Sequence, residues 1–129
     1  MASALGLDGR LTWAGATDAP RAAHNALDIA TLASRYGEGF ANTVGEAMAC
    51  GVPCVVSDAG DSAWVVGEAA QVVPPNDAAA LAQAWLGLVD MPVSEREQAG
   101  LRGRARIAEH FSIEQLAAAT EARLEELLA

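Results

Sequence analysis

The stretch Ser34-Arg-Tyr-Gly-Glu-Gly-Phe-Ala-Asn-Thr-Val-Gly-Glu-Ala-Met-Ala-Cys-Gly-Val-Pro53 decides how this chain folds. It holds a glycine-bearing loop, Ser34 to Phe40, and then a helix ending near Cys50. Gly51 and Pro53 are the stop signals for that helix. Immediately before it, Asp28-Ile-Ala-Thr-Leu32 reads as a buried strand. Immediately after it, Pro53-Cys-Val-Val-Ser57 reads as the next one. A strand, a crossover helix and a second strand are the unit of a parallel sheet, so the chain is predicted to be α/β.

The same alternation extends outward. Upstream, Arg10-Leu-Thr-Trp-Ala14 is predicted as a first strand closed by Gly15. Asp18 then caps a short helix through Asn25, with Pro20 tolerated in its first turn. Downstream, a polar loop Asp58-Ala-Gly-Asp61 leads to a helical turn from Ser62 to Val66 and a strand Ala70-Gln-Val-Val73. Pro74-Pro75-Asn76 turns the chain into a helix capped by Asp77 and running to about Val89. Two further helices fill residues 95–129, with capping boxes predicted at Ser94/Glu97 and Ser112/Gln115. The last helix sets Ile113, Leu116, Ala117, Leu124 and Leu127 on one stripe. The whole, residues 1–129, reads as a single domain: a Rossmann-like parallel sheet flanked by helices, with a helical C-terminal extension.

Charge narrows the partners. Seventeen acidic and eight basic residues give a net charge of −9, and every basic residue is an arginine. Such a surface repels a phosphate backbone, which argues against nucleic acid. An anionic ligand would have to be held locally, by oriented amides or a well-placed arginine. Cys50 and Cys54 have no ligand cluster beside them and are predicted to be small buried apolar residues in a reducing compartment. No apolar run reaches membrane-spanning length and no signal-peptide pattern opens the chain, so the expected location is cytoplasmic.

In a parallel sheet the loops at the carboxyl ends of the strands form the ligand crevice. Gly37 and Gly39 allow close backbone approach or positive φ there. The amides of Ala41, Asn42, Thr43 and Val44 open the following helix, where an anion is favoured. Glu38 and Glu46 bracket that anion site. A diphosphate wants amide donors, and sugar or ribose hydroxyls want a carboxylate that accepts from two neighbours at once. The pattern therefore points to a sugar nucleotide.

These residues resemble the glycosyltransferase family 4 group (group 1 glycosyltransferases), which adopts the two-domain GT-B fold. The resemblance rests on Glu38-Gly39-Phe40 followed by Glu46-Ala47-Met48-Ala49-Cys50-Gly51-Val52-Pro53, the family's paired glutamates. It continues through Val55-Val56-Ser57-Asp58, Gly60-Asp61-Ser62, Val72-Val73-Pro74-Pro75 and Asp77, and also touches Gly15, Ala26-Leu27-Asp28 and the Arg104-to-Phe111 helix end. It implies the donor-binding, C-terminal half of a retaining enzyme that uses a nucleoside-diphosphate sugar without a cofactor or bound metal. Glu38 is then the catalytic-site residue on the donor sugar, and Glu46 holds the ribose. Gly39, Phe40 and Ala41 face the sugar, while Asn42, Thr43 and Val44 face the diphosphate. The segment Ala14 to Ala16 lies against the base. The resemblance also implies an N-terminal acceptor domain outside these residues, and a full-length enzyme peripheral at the membrane. Members of the group carry an arginine and a lysine for the diphosphate ahead of the point where this sequence starts, and there is no lysine here. Ala41 stands where a proline often follows the Glu-Gly-Phe triplet.

Several of these residues have plainer readings. Thr43-Val-Gly-Glu46 is also a capping box, and Gly45 also serves for tight packing against the sheet. Arg35 is more often a solvated charge than a phosphate ligand. His24 and His110, with no carboxylate at ligand spacing, read as structural. Trp13, Trp64 and Trp85 read as core or rim, and Glu121, Glu125 and Glu126 as a solvated helix face. The rival function is a non-catalytic nucleotide-sugar-binding or assembly module that pairs with a separate N-terminal half, or with itself through an exposed sheet edge.

Overall fold

The computed structural model describes residues Met1 to Leu128. Three parallel strands run in the order β1 (Ala30–Leu32), β2 (Cys54–Ser57), β3 (Gln71–Val73). Ala30, Thr31 and Leu32 lie opposite Cys54, Val55 and Val56, and Val55, Val56 and Ser57 lie opposite Gln71, Val72 and Val73. Every residue of β2 is buried, as expected of a central strand covered on both faces.

Alternation along β2 assigns the faces. Cys54 and Val56 point to a core shared with Ala30, Val44, Ala47, Met48 and Val66, under helix α2 (Asn42–Ala49). Val55 points the other way, to Val73 and Leu88, with Leu81 and Ala84 of α4 (Ala78–Val89) packed alongside. Helix α1 (Pro20–Asn25) precedes β1. Helix α3 (Ser62–Val66) follows β2, and α5 (Val93–His110) and α6 (Ile113–Leu128) complete the described residues. The α/β reading and the parallel sheet thus hold.

Helix ends follow local chemistry. Asp77 accepts from the Ala80 amide at 2.9 Å and starts α4 as predicted. Ser112 accepts from the Gln115 amide at 3.2 Å at the head of α6. Arg106 of α5 donates to the carbonyls of Val65 (2.8 Å) and Trp64 (2.6 Å), closing the C-terminal end of α3.

Five expectations are corrected. Residues 10–14 form no strand: Leu11 and Trp13 are exposed, and the segment has no pairing partner among the described residues. Asp18 does not cap α1; Ala19 is the N-cap, Pro20 takes the first helical position, and Thr17 Oγ1 accepts from the Ala19 amide. Ser94 does not cap α5, because the helix starts two residues earlier, at Val93, with Pro92 as N-cap. The α6 stripe exists but is uncovered: Ile113, Leu116, Leu124 and Leu127 are all exposed. Trp13, 85% exposed, belongs to no core.

Helix α5 crosses α2 at glycines. A Cβ on Gly100 would lie 1.8 Å from the Gly51 carbonyl oxygen, and one on Gly103 would touch Met48. Gly100→Ala should therefore force the helices apart and cost about 2–3 kcal/mol, even though alanine gains roughly 1 kcal/mol of helix propensity over glycine. Gly87, in the last turn of α4 with nothing near its Cβ position, should respond with the opposite sign, gaining ~0.5–1 kcal/mol as alanine. Urea unfolding of the two variants checks both signs.

Both cysteines are free; Cys50 is half-buried and Cys54 buried. Burial pushes the Cys54 thiol from its ordinary 9.0 up to about 12. Below pH 9 the thiol is neutral folded or unfolded and adds no pH dependence. Between 9 and 12 only the unfolded chain ionises it, so stability should fall with rising pH across that window. A Cys54→Ala variant should lose that part of the alkaline slope in thermal melts. At neutral pH a thiol reagent should label Cys50 and spare Cys54 until the chain unfolds.

Candidate functional site

The loop between β1 and α2 is fixed at its backbone from two sides. Ser57, at the end of β2, donates through Oγ to the Ser34 carbonyl at 2.6 Å. The Asp61 amide donates to the Glu38 carbonyl at 3.2 Å. Gly60 is required there: it sits at φ +57°, and a Cβ on it would lie 1.8 Å from the Glu38 carbonyl oxygen. Gly37, at φ +79°, makes the turn that presents Glu38. The Glu38 side chain, half-buried, accepts a hydrogen bond from Ser34 Oγ.

Phe40 anchors the far end of the loop. Its ring fills the space that Gly45 leaves open; a Cβ on Gly45 would lie 3.0 Å from Phe40 Cε1. The close approach that Gly45 allows is thus that of an aromatic ring, not the alternative of packing against the sheet. The other side of the ring meets Phe111 edge-on at 5.2 Å, and Trp64 meets Phe111 at 5.0 Å. The Arg106 guanidinium lies over the Phe111 ring, 5.7 Å from its centroid. The loop is thereby tied to the α5–α6 junction.

Helix α2 begins without a side-chain cap. Ala41, its N-cap, is buried and offers no side-chain acceptor, though its carbonyl accepts from the Val44 and Gly45 amides at 2.9 and 3.0 Å. Asn42 and Thr43 are exposed in the first turn, while the Val44 side chain is buried in the core. The helix head therefore presents backbone amides, the positive end of its dipole and no competing carboxylate. The Thr43/Glu46 capping box does not form, because Thr43 is already the second helical residue. Glu46 instead turns to α1, where its Oε2 stands 3.1 Å from Nε2 of His24.

That contact overturns the reading of His24 as isolated. The ring belongs to the buried residues and reaches a carboxylate 22 residues away in sequence. No local spacing signals the pair; only the packing of α1 on α2 creates it. His24 and Glu46 line an open cleft of about 470 Å³ together with Arg21 and Arg104. The two arginines come from α1 and α5, and the sequence singled out neither for this place. Glu38 is not among the lining residues of this cleft. Arg35 lines a separate cleft of about 250 Å³ at the carboxyl ends of the strands, with Ser57, Asn76 and Asp77. Gly15, at φ +75°, sits in an exposed segment with Ala14 and Ala16. His110 lies beside Phe111. Among the described residues no helix is long and apolar enough to cross a membrane.

Similar proteins are found by sequence and by fold. Residues 1–91 match the family described as Glycosyl transferases group 1. The chain is 40% identical over 105 residues to the MMP alpha-(1->4)-mannosyltransferase of Mycolicibacterium hassiacum, covering 79% of this chain and 25% of that protein. It superposes with a TM-score of 0.87 on the sucrose-phosphate synthase of Thermosynechococcus elongatus, at 29% identity, covering 98% of this chain and 32% of that one. Anabaena HepE, solved in complex with UDP, superposes with a TM-score of 0.88 at 20% identity, covering 97% and 35%. The chain thus spans a quarter to about a third of the length of these proteins. By the extent of the family match, this chain belongs to the group 1 glycosyl transferases.

Proposed function

We propose that these residues form the donor-binding lobe of a retaining glycosyltransferase that takes its sugar from a nucleoside-diphosphate sugar. The observation carrying this reading is the uncapped head of α2 with a carboxylate on either side, Glu38 held by Ser34 and Glu46 held by His24. Amides of Asn42 and Thr43 would receive the diphosphate; that of Val44, also expected there, already donates to the Ala41 carbonyl at 2.9 Å. Amides of Gly39, Phe40 and Ala41, with the Glu38 carboxylate, would receive the sugar. Glu46 would accept from the ribose hydroxyls. HepE, a neighbour in fold, was solved with UDP, which supports a nucleotide ligand for this architecture.

The chemistry follows from charge. As the glycosidic bond to the diphosphate breaks, negative charge grows on the leaving oxygen. Fixed amide dipoles at a helix head stabilise that charge without reorganising. Glu38 orients the sugar and is the one side chain assigned to the reacting end. No covalent nucleophile and no cofactor enter this scheme. The net charge of −9 opposes an anionic donor, but Arg21 and Arg104 concentrate positive charge beside Glu46 and offset it locally. Binding should still be weak, near millimolar, which needs only ~4 kcal/mol.

The exposed apolar stripe of α6 favours a companion reading, in which the lobe works only with an acceptor-binding half or a partner chain. In that reading the residues described here transfer no sugar by themselves, and they self-associate or bind that partner. Incubating the chain with UDP-, GDP- and ADP-sugars and simple acceptors should give release no faster than buffer. Sedimentation at high concentration should show species above the monomer.

The donor site is tested by saturation-transfer NMR with UDP, GDP and ADP and their sugars. Transfer to ribose protons should be seen for wild type and lost in Glu46→Ala, with the strongest nucleotide naming the base. Equal transfer in both proteins would remove Glu46 from the site.

A further inference from the structure

His24 is only 9% exposed, and its Nδ1 is buried without a hydrogen-bond partner among the described residues. A carboxylate only accepts, so with Glu46 ionised the proton of the 3.1 Å contact sits on Nε2 of His24. In the neutral ring the lone pair is then left on Nδ1, in a place that offers it nothing. A buried polar atom without a partner is costly. Core packing alone does not call for it, since an apolar ring would fill the same volume. What an apolar ring lacks is the N–H directed at Glu46.

Glu46 needs such a contact to be a good diol acceptor. Its side chain is 55% exposed at the rim of the 470 Å³ cleft, where an untethered glutamate samples many rotamers. Its other oxygen makes no hydrogen bond among the described residues, and Arg21 and Arg104 line the same cleft.

We propose that His24 is a positioning residue for Glu46, holding Oε2 so that the remaining acceptor sites of the carboxylate are fixed toward a vicinal diol bound in the cleft. This rests on the reading of Glu46 as the ribose-binding group. The ring acts through Glu46 and touches no reacting atom, so its loss weakens donor binding and leaves the chemistry of the sugar end alone.

The test is a titration of the chain with UDP, GDP and ADP in four proteins: wild type, Glu46→Ala, His24→Phe and His24→Gln. Phenylalanine keeps the ring volume and removes the donor, while glutamine returns an N–H near the Nε2 position. His24→Phe should weaken binding of the preferred nucleotide about tenfold, and His24→Gln should restore it to within about twofold of wild type. The phenylalanine penalty should vanish for the 2′,3′-dideoxy form of that nucleotide, which a general packing defect would not predict. Imidazole ¹⁵N spectra of wild type should show the Nε2–H tautomer, with a signal that moves in Glu46→Gln. They decide the matter even if His24→Phe does not fold, because an Nδ1–H tautomer overturns the proposal. Normal binding by His24→Phe, with binding lost in Glu46→Ala, overturns the role of His24 and leaves Glu46 in place. Failure of wild type to bind any of the three nucleotides removes the Glu46 reading, and the role of His24 with it.

Discussion

Among the described residues β2 is the only strand with hydrogen-bonded neighbours on both edges and apolar layers on both faces, and the candidate ligand loop is referenced to it. Its last residue, Ser57, is buried and donates to Ser34, which in turn donates to Glu38. The loop that leaves β2 then supplies the Asp61 amide and the Gly60 hollow that hold the Glu38 backbone. A displacement of β2 along its own axis would thus move both ends of the candidate sugar loop together. Because the strand's side chains interdigitate with two opposite layers, such a displacement would disrupt both cores at once.

A second set of contacts fixes α2, and it depends on small residues. Gly45 admits the Phe40 ring, Gly100 admits the Gly51 carbonyl, and Gly103 faces Met48. Each places α2 against a different neighbour: its own preceding loop, the start of the α5 crossing, and the middle of it. Helix α1 adds the fourth contact, through His24 and Glu46. Among the described residues Glu46 is the one surface group of α2 whose side-chain hydrogen bond comes from another helix, so the orientation of α1 and that of the candidate ribose acceptor are one structural quantity.

How far this was legible depends on whether the signal was local. Asp77 caps α4 because its acceptor sits three residues before the amide it receives, a distance written in the sequence. Helix α2, β2 and α3 were readable for the same reason, since stop signals and apolar runs act over a few residues. Where the deciding partner is distant, local reading failed. Residues 10–14 have the composition of a strand but none of the pairing. Ser94 has the spacing of a capping box, yet Pro92, with its fixed φ, starts the helix sooner. The Glu38/Glu46 pair was legible as a pattern, while what holds each glutamate was legible for neither. Ser34 is near enough to Glu38 to have been weighed; His24 reaches Glu46 only because two helices pack.

Net charge is the coarsest of these signals and the most misleading. A total of −9 spread over the surface is screened beyond roughly 10 Å at moderate salt, so a ligand within a cleft responds mainly to the groups lining it. There the balance is different. Two arginines, one carboxylate and one histidine line the cleft together, and the head of α2 contributes uncapped amides nearby in the chain. Eight arginines among seventeen acids are too few to make the surface basic, but two of them line one cleft and change its local charge. Placement by α1 and α5, not composition, sets the local charge beside Glu46.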